Sequence, residues 1–227
     1  MNRVTYLVAA LGMALAGCGD SATGPAVNRN DPGSGTRTMK VTADIEGKDV
    51  PGGFVTDFDV SLRNVQGTPI SGATVTVRNS NLGTVNLLEI DAGSGDYEAT
   101  VNTFAPGDYR LDVVKGTDNV QGVVVGGMAA HSILSPPTNS TVLSTQPLTV
   151  TWSRPSEAAA ADVETKDFAV EGIPDSGSFT ISVADNPPRD DQRIRVWRFN
   201  EVQMVGGLFG SRLKLKIRNT VEPVVVQ

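Results

Sequence analysis

The chain has 227 residues, of which 19 are basic and 25 acidic, so its net charge is −6 and its isoelectric point is near 4.8. This acidity argues against a general nucleic-acid-binding protein, because such proteins concentrate basic residues in one footprint. The chain holds 24 glycines and 13 prolines, only 5% of its residues are aromatic, and Val and Thr recur. These residues favour short strands joined by turns, so we predict an all-β protein.

The first 17 residues have the three parts of a secretory signal: Arg3 as the basic residue, an apolar run over 6–16, and small residues before a cysteine. The apolar run has 11 residues, whereas a helix needs about 20 to cross a bilayer. We therefore predict that residues 1–17 are a cleaved leader.

The segment Leu15-Ala16-Gly17-Cys18 resembles the lipobox of bacterial lipoproteins. In that family the cysteine is acylated and becomes the first residue after cleavage. The resemblance implies a lipid on Cys18 and a membrane anchor in the cell envelope, with the outer membrane favoured because Gly19, not Asp, follows. Cys18 is the only cysteine, so no internal disulfide competes for it. The alternative is an ordinary signal that ends beside a cysteine.

Residues 18–37 follow as the lipidated cysteine and a predicted flexible tether. The sequence from Gly19 to Arg37 has no apolar periodicity, and a random coil of this length spans about 24 Å. Without the leader the chain keeps 18 basic and 25 acidic residues, a net charge of −7. The remaining length fits two domains, which we place at 38–127 and 128–227.

Residues 38–127 show short apolar runs between turn signals, the pattern of a β-sandwich. The runs at 67–77, 95–97 and 106–113, beginning Gly-Thr-Pro-Ile-Ser-Gly-Ala-Thr-Val and continuing with Gly-Asp-Tyr, resemble bacterial Ig-like and carboxypeptidase-regulatory-like domains. Those families contribute spacers or adhesion modules, and no catalytic residue comes with the resemblance. The predicted strands are 39–45, 54–62, 73–77, 85–90, 97–101, 109–114 and 120–125.

Residues 128–227 are predicted to form a second sandwich. The segments 133–139 and 147–153 resemble the first strands of fibronectin type III-like repeats, which implies that Trp152 lies in the core. The run 157–163, Glu-Ala-Ala-Ala-Ala-Asp-Val, is the one helix-friendly stretch after the leader, and its shortness indicates a loop turn. Further strands are predicted at 179–183, 194–199 and 213–217.

Basic residues are concentrated between Arg189 and Arg218, where eight basic and three acidic residues occur. The period of two in 213–218 turns the aliphatic side chains inward and the basic ones outward. Such rows could bind phosphates of lipopolysaccharide, acidic glycans or an acidic protein, or could simply protect strands from aggregation. The candidate ligand-binding residues are Arg193, Arg195, Trp197, Lys214, Lys216 and Arg218.

Residues suited to catalysis or metal binding are few. His131 is the only histidine, so no usual zinc site or Ser-His-Asp arrangement is indicated. Ser211 to Lys214 matches Ser-x-x-Lys, but it enters a predicted strand. Adjacent Asp190 and Asp191 are predicted to lie in a loop, and 91–96 is interpreted as a hairpin turn in preference to a calcium loop. We predict neither enzyme activity nor a cofactor or metal.

These features together indicate an all-β envelope lipoprotein with two tandem antiparallel β-sandwich domains, facing the periplasm or the exterior. The leading hypothesis is a non-enzymatic binding or scaffold module that contacts another envelope component. The alternatives are a glycan or lipopolysaccharide module that uses the basic strand face, and an accessory subunit of an envelope complex.

Overall fold

The structure, a computed structural model, describes residues 29–227. The predicted leader and Cys18 lie outside the described residues. The described chain is almost entirely β-structure, which confirms the predicted fold class, and it has no helical segment with the length and hydropathy of a membrane span. Its strands are β1 (Ser34–Gly35), β2 (Lys40–Val50), β3 (Gly53–Arg63), β4 (Thr74–Asn79), β5 (Gly83–Glu89), β6 (Asp96–Val101), β7 (Tyr109–Lys115), β8 (Asp118–Val125), β9 (Ile133–Ser135), β10 (Thr141–Val142), β11 (Leu148–Trp152), β12 (Ala160–Glu164), β13 (Ala169–Ile173), β14 (Ser178–Ile181), β15 (Arg189–Gln203) and β16 (Arg212–Val226).

The first sandwich contains β2 to β8, which confirms the seven strands predicted for residues 38–127. One layer has the order β8-β7-β4-β5, and the sheet then curls through β6 into β3, β2 and β16. Alternate side chains of both layers meet in one apolar core that includes Val41, Phe58, Leu111, Val123 and Leu215, all of which are completely buried. The period of two along each strand therefore produces the two layers and the core between them.

A tyrosine hydrogen bond closes one corner of this sandwich. Tyr109 begins β7, is completely buried, and donates its hydroxyl to the carbonyl oxygen of Ala105 at 2.7 Å. This is the arrangement of the tyrosine corner found in Ig-like sandwiches. The hydrogen bond satisfies the buried hydroxyl and fixes the chain as it enters the strand.

The second sandwich is smaller. Its three-stranded sheet has the order β14-β11-β9 and packs on β12, β15 and the last part of β16. Trp152 at the end of β11 is 3% exposed, which confirms the prediction that it lies in a core. The same core contains Val150, Val163, Ile194 and Val224.

The long hairpin of β15 and β16 contributes to both cores. Leu213, Leu215 and Ile217 belong to the first core, whereas Val221 and Val224 belong to the second. In its first half β16 also pairs with β2 in parallel. The division at residues 127 and 128 stays a prediction, and any such division must assign this hairpin to both units.

Two local predictions in the second unit were wrong. The run 157–163 was predicted as a loop turn, but its last residues form β12, in which Val163 pairs with Val196 of β15 and is completely buried. Pairing on both sides of the strand outweighs the helix preference of alanine. Asp190 and Asp191 were predicted in a loop but lie at the start of β15, where the register with β16 is irregular.

The last residues of the predicted tether, 29–37, contact the first sandwich. Asp31 bridges Val124, and β1 pairs with β8 along the edge of the sheet. The backbone of Ser34 lies against Gly206 so closely that a Cβ atom at residue 206 would be 2.2 Å from the Ser34 carbonyl group. The tether prediction therefore does not hold for this part of the chain, because these residues make strand and backbone contacts.

Candidate functional site

The predicted ligand-binding residues lie together on the outward side of the curled sheet. In the register, Trp197 of β15 is opposite Arg218 of β16, and Lys216 of β16 is opposite Glu46 of β2. On the other side of β15, Asp162 of β12 is opposite Trp197. We call this surface the Trp197 face. Its members are Asp44, Glu46, Lys48, Asp162, Glu164, Arg193, Arg195, Trp197, Phe199, Arg212, Lys214, Lys216 and Arg218.

The inward partners of these residues confirm the predicted alternation. Leu213, Leu215 and Ile217 are completely buried, while Lys214 and Lys216 between them are partly exposed. Side chains on a strand alternate between the two sides of the sheet. A single hairpin therefore supplies both the first core and the basic part of the Trp197 face.

Carboxylates neutralise most of the predicted basic rows. Glu164 of β12 accepts hydrogen bonds from Arg193 at 3.0 Å and from Arg195 at 3.4 Å. Across β16, Lys216 lies 3.3 Å from a carboxylate oxygen of Glu46, and the Arg218 guanidinium lies 3.5 Å from Asp49. These acidic partners come from β2 and β12, which sequence analysis had not placed beside the hairpin.

A signal for these partners is present in the sequence of β2. Its alternation places Val41, Ala43 and Ile45 inward and Asp44 and Glu46 outward. Read alone, this pattern predicts an acidic row beside some neighbouring strand. What it does not predict is that the neighbour is β16, because a parallel pairing of strands about 170 residues apart depends on the whole topology.

Two aromatic rings lie among the charges. Trp197 is partly exposed, shares the side of β15 that holds Arg193 and Arg195 as predicted, and donates its indole N–H to Glu46 at 3.0 Å. Phe199, also partly exposed, has the Lys214 ammonium 3.6 Å from its ring centroid. An ammonium at this distance is attracted by the electrons of the ring.

A shallow hollow of about 350 Å³ opens beside Trp197. Its lining combines one aromatic ring with donors and acceptors of hydrogen bonds, a combination suited to a polar ligand with an apolar side. The charged and aromatic side chains that line it are Glu46, Asp162, Glu164, Glu171, Trp197, Lys214 and Lys216.

Acidic residues dominate the far side of this surface, on β3 and β6. Burial and the neighbouring carboxylate of Glu98 raise the pKa of Asp59 above its usual value. Burial would also raise the pKa of Asp57, but hydrogen bonds from Lys48 and Thr100 hold it below the usual range. Across the sheet, the charge therefore changes from a balanced region around Trp197 to a negative region at β3 and β6.

The residues considered for catalysis are not brought together. His131 is buried in the second sandwich, with Nε2 3.1 Å from the Val196 carbonyl oxygen. Burial, followed by the positive charge of Arg198, lowers the pKa of His131 to about 4. Ser211 is hydrogen-bonded to Val41 and Leu208 near the start of β16. Within residues 29–227 no group of three or more His, Cys, Asp or Glu side chains is arranged to hold a metal.

Sequence analysis missed a buried ion pair on the inward side of β15. Arg198 is completely buried and its Nη2 lies 2.6 Å from the carboxylate of Asp175, which also accepts the indole N–H of Trp152 at 2.8 Å. Burial would raise the pKa of Asp175, but the hydrogen bonds from Arg198 and Trp152 hold it below its usual value. Parity was the available signal, since position 198 alternates inward with Ile194 and Val196.

No known protein family and no curated protein matches the chain. Among solved structures, fibronectin(III)-like modules of Clostridium thermocellum CbhA are similar over 79% of this chain and 92% of theirs, at 14% identity and a TM-score of 0.27. The Yersinia pseudotuberculosis adhesin InvE is similar over 82% of this chain and 60% of its own, at 17% identity and a TM-score of 0.28. Bacteroides ovatus SGBP-B, solved with a mixed-linkage heptasaccharide, is similar over 84% of this chain and 60% of its own, at 10% identity and a TM-score of 0.23.

At such identities and TM-scores these neighbours carry no argument about what this protein binds.

Proposed function

We propose that this protein is a non-enzymatic binding module of the bacterial cell envelope, held at the membrane by a lipid on Cys18, which contacts another envelope component through the Trp197 face. The lipobox-like segment supports the anchor. The observation that carries the binding role is the open sheet surface in which Trp197 and Phe199 lie among side chains of both charges.

The make-up of this face indicates what fits it. Tryptophan and arginine are the residues that most often dominate binding energies at interfaces. A polyanion would have to compete with Glu46, Asp49 and Glu164 for the same basic side chains, whereas a partner with both charges can exchange these ion pairs for new ones. A protein surface of mixed charge therefore fits better than lipopolysaccharide phosphates. This protein would meet such a surface if it is an accessory subunit of an envelope complex.

The hollow beside Trp197 favours a second candidate, a glycan with few or no charges. A sugar ring has an apolar side that an indole can cover, and its hydroxyl groups both donate and accept hydrogen bonds. Glu46 supplies acceptors, and Lys214 and Lys216 supply donors, around the hollow. The glycan would then bind by shape and hydrogen bonding more than by charge.

The anchor is tested by growing the producer with an alkyne-labelled fatty acid and comparing the full-length protein with its Cys18→Ser variant. The proposal predicts label on the wild-type protein and none on the variant. If the wild-type protein is secreted and cleaved but carries no label, the leader is an ordinary signal peptide and the proposed lipid anchor is contradicted.

The glycan candidate is tested by calorimetry with purified neutral and acidic envelope glycans. We expect Trp197→Ala to weaken binding of a neutral glycan at least tenfold, while Arg78→Ala, on the opposite layer, leaves it unchanged. If no neutral glycan binds the wild-type protein, or both variants lose equally, the hollow is not a glycan site.

A further inference from the structure

The end of the first sandwich that lies farthest from the second carries an unusual surface. Register joins the start of β2 to the end of β3 through Lys40 and Arg63, and the start of β16 to β2 through Arg212 and Thr42. The loops that begin at these strand ends expose Val65 in the β3–β4 connection, and Val205 and Phe209 in the β15–β16 turn. Phe209 is as exposed as in an extended chain, at 102%, and Val65 is 73% exposed.

Backbone hydrogen bonds hold the β15–β16 turn in this position. Leu208 donates to the carbonyl oxygen of Met39 at 2.8 Å, and Val205 donates to that of Pro32 at 3.1 Å. Ser211 closes the turn by donating to Leu208. Phe209 is therefore presented outward by a fixed loop, and little ordering is required when it meets a partner.

Basic side chains without carboxylate partners are concentrated at the same end. Among residues 29–227, four basic side chains have no carboxylate oxygen within 4.0 Å, and three of them, Arg37, Lys40 and Lys115, belong to this end. The fourth is Lys214. Arg37, Lys40 and Lys115 are all exposed. The other basic side chains of the described chain are paired.

Two of these cations flank the apolar turn directly. The Nε atom of Arg37 donates to the Val205 carbonyl oxygen at 3.1 Å, and the Nζ atom of Lys40 lies 3.8 Å from the position of an ideal Cβ on Gly210. Several acidic residues of this end are already occupied: Asp96 pairs with Arg63, and Asp44 pairs with Arg212. Glu89 accepts hydrogen bonds from Ser71 and Gly72, Asp91 is in the β5–β6 turn, and Asp118 is opposite Lys115 in the register. We call Arg37, Lys40, Val65, Val205 and Phe209 the Phe209 patch.

From this combination we infer that the Phe209 patch docks on an anionic lipid surface. An aromatic tip suits the boundary between head groups and acyl chains, and basic side chains beside it reach the phosphates of anionic lipids. The protein is acidic, and most of its other basic side chains are paired with carboxylates. Unpaired basic side chains beside an exposed aromatic ring therefore favour a surface that is both apolar and negatively charged. Phe209 inserts, and Arg37 and Lys40 contact head groups.

The length of the chain before Arg29 is compatible with this orientation. Arg29 lies beside Asp108 at the other end of β8 from the patch, and β8 has 8 residues, which span about 27 Å. The 11 steps from Cys18 to Arg29 can reach at most about 36–40 Å. A lipid on Cys18 and docking of the patch can therefore occur together, although docking does not depend on the proposed lipid.

The test uses the whole chain from residue 18 with Cys18→Ser, so that no acyl chain contributes, and co-sedimentation with vesicles. We expect binding to vesicles with phosphatidylglycerol and little binding to pure phosphatidylcholine. Phe209→Ser should reduce binding about tenfold or more, and Lys40→Glu should reduce it at least about fivefold. Both changes are at exposed positions and should leave the melting temperature unchanged.

Matched controls are Leu143→Ser, at an exposed leucine of the second sandwich, and Arg78→Glu, at an exposed arginine of β4 near the opposite end of the first sandwich; both should bind vesicles like wild type. Failure of the Cys18→Ser protein to bind anionic vesicles would overturn the inference while leaving the anchor untouched. Equal losses in the patch and control variants would overturn it as well. A cross-linked envelope protein that is lost only with Phe209→Ser, without vesicle binding, would show a protein interface instead.

Discussion

The two sides of β15 place arginines in opposite situations. On the inward side Arg198 is completely buried and its ion pair with Asp175 is enclosed by the second core. On the outward side Arg193 and Arg195 are about a quarter exposed and share one carboxylate, that of Glu164. The three side chains belong to one strand and differ in solvent access.

This difference separates structural charge from charge that is available to a partner. A buried ion pair has no water to replace a lost member, so removing one partner leaves an uncompensated charge in the core. An exposed pair contributes little to stability because water replaces either member. Arg198 therefore stabilises the second sandwich, while the arginines of the Trp197 face can exchange Glu164 for water or another acceptor at little cost in stability.

Replacing Arg198 should have the largest effect on stability. We expect Arg198→Ala to lower the free energy of unfolding by about 3 kcal/mol, because the buried Asp175 then keeps only the Trp152 indole N–H and the half-exposed Arg154, 3.5 Å away, to compensate its charge. Urea denaturation of the variant measures this directly. Arg195→Ala is the matched control and should cost less than about 1 kcal/mol. Similar costs for the two variants would contradict the distinction between the sides of β15.

The stability of the second core should also depend on pH, because His131 is buried in it. The pKa of His131 is about 4 in the folded chain, below its ordinary value of 6.5, so between these values the unfolded chain binds a proton that the folded chain does not. The neutral His131 side chain therefore makes its full contribution to the free energy of unfolding above about pH 6.5. As the pH falls towards 4, the free energy of unfolding decreases by about 2–3 kcal/mol for this reason.

The measurement for His131 is the free energy of unfolding from pH 7.5 to 4.5 for wild type and His131→Gln. The difference between the two should change by the stated amount over this range, because acidic residues titrate alike in both proteins. Parallel curves would mean that His131 is not protonated on unfolding in this way.

The smallest effect on stability is expected on the Trp197 face. Glu164→Gln should change the free energy of unfolding by less than about 1 kcal/mol, yet it releases Arg193 and Arg195 from their shared carboxylate. We expect the variant to be retained longer on a sulfated resin at low salt. Glu222→Gln, at an exposed glutamate of β16 without an ion pair in residues 29–227, changes the net charge equally and should be retained less than Glu164→Gln.

Alternation along strands predicted much of this molecule. It located β2 to β8, placed Leu213, Leu215 and Ile217 in a core, and put Trp197 on the side of Arg193 and Arg195. It did not predict that β16 pairs with β2, so nothing indicated that Glu46 and Asp49 neutralise part of the basic rows. Local patterns carry the period of a strand but not the identity of its neighbour.

The same limit explains β12 and Arg198. Nothing in the alanine-rich run near β12 favours a strand, which exists because β15 and β13 pair with it. Arg198 was counted among the eight basic residues between Arg189 and Arg218, although its position in the alternation of β15 places it on the inward side. Its burial depends on Asp175, which comes from a separate connection after β13 and has no local relation to β15.

The proposed function requires a partner in the envelope that contacts the Trp197 face. A photo-reactive amino acid at position 214 of the lipidated protein in its native cells would capture this partner, which is identified from the cross-linked product after illumination. Position 78, on the opposite layer, is the matched control. The proposal predicts one envelope protein or glycan attached through position 214 and absent at position 78. The same products at both positions, or none at 214, would contradict it.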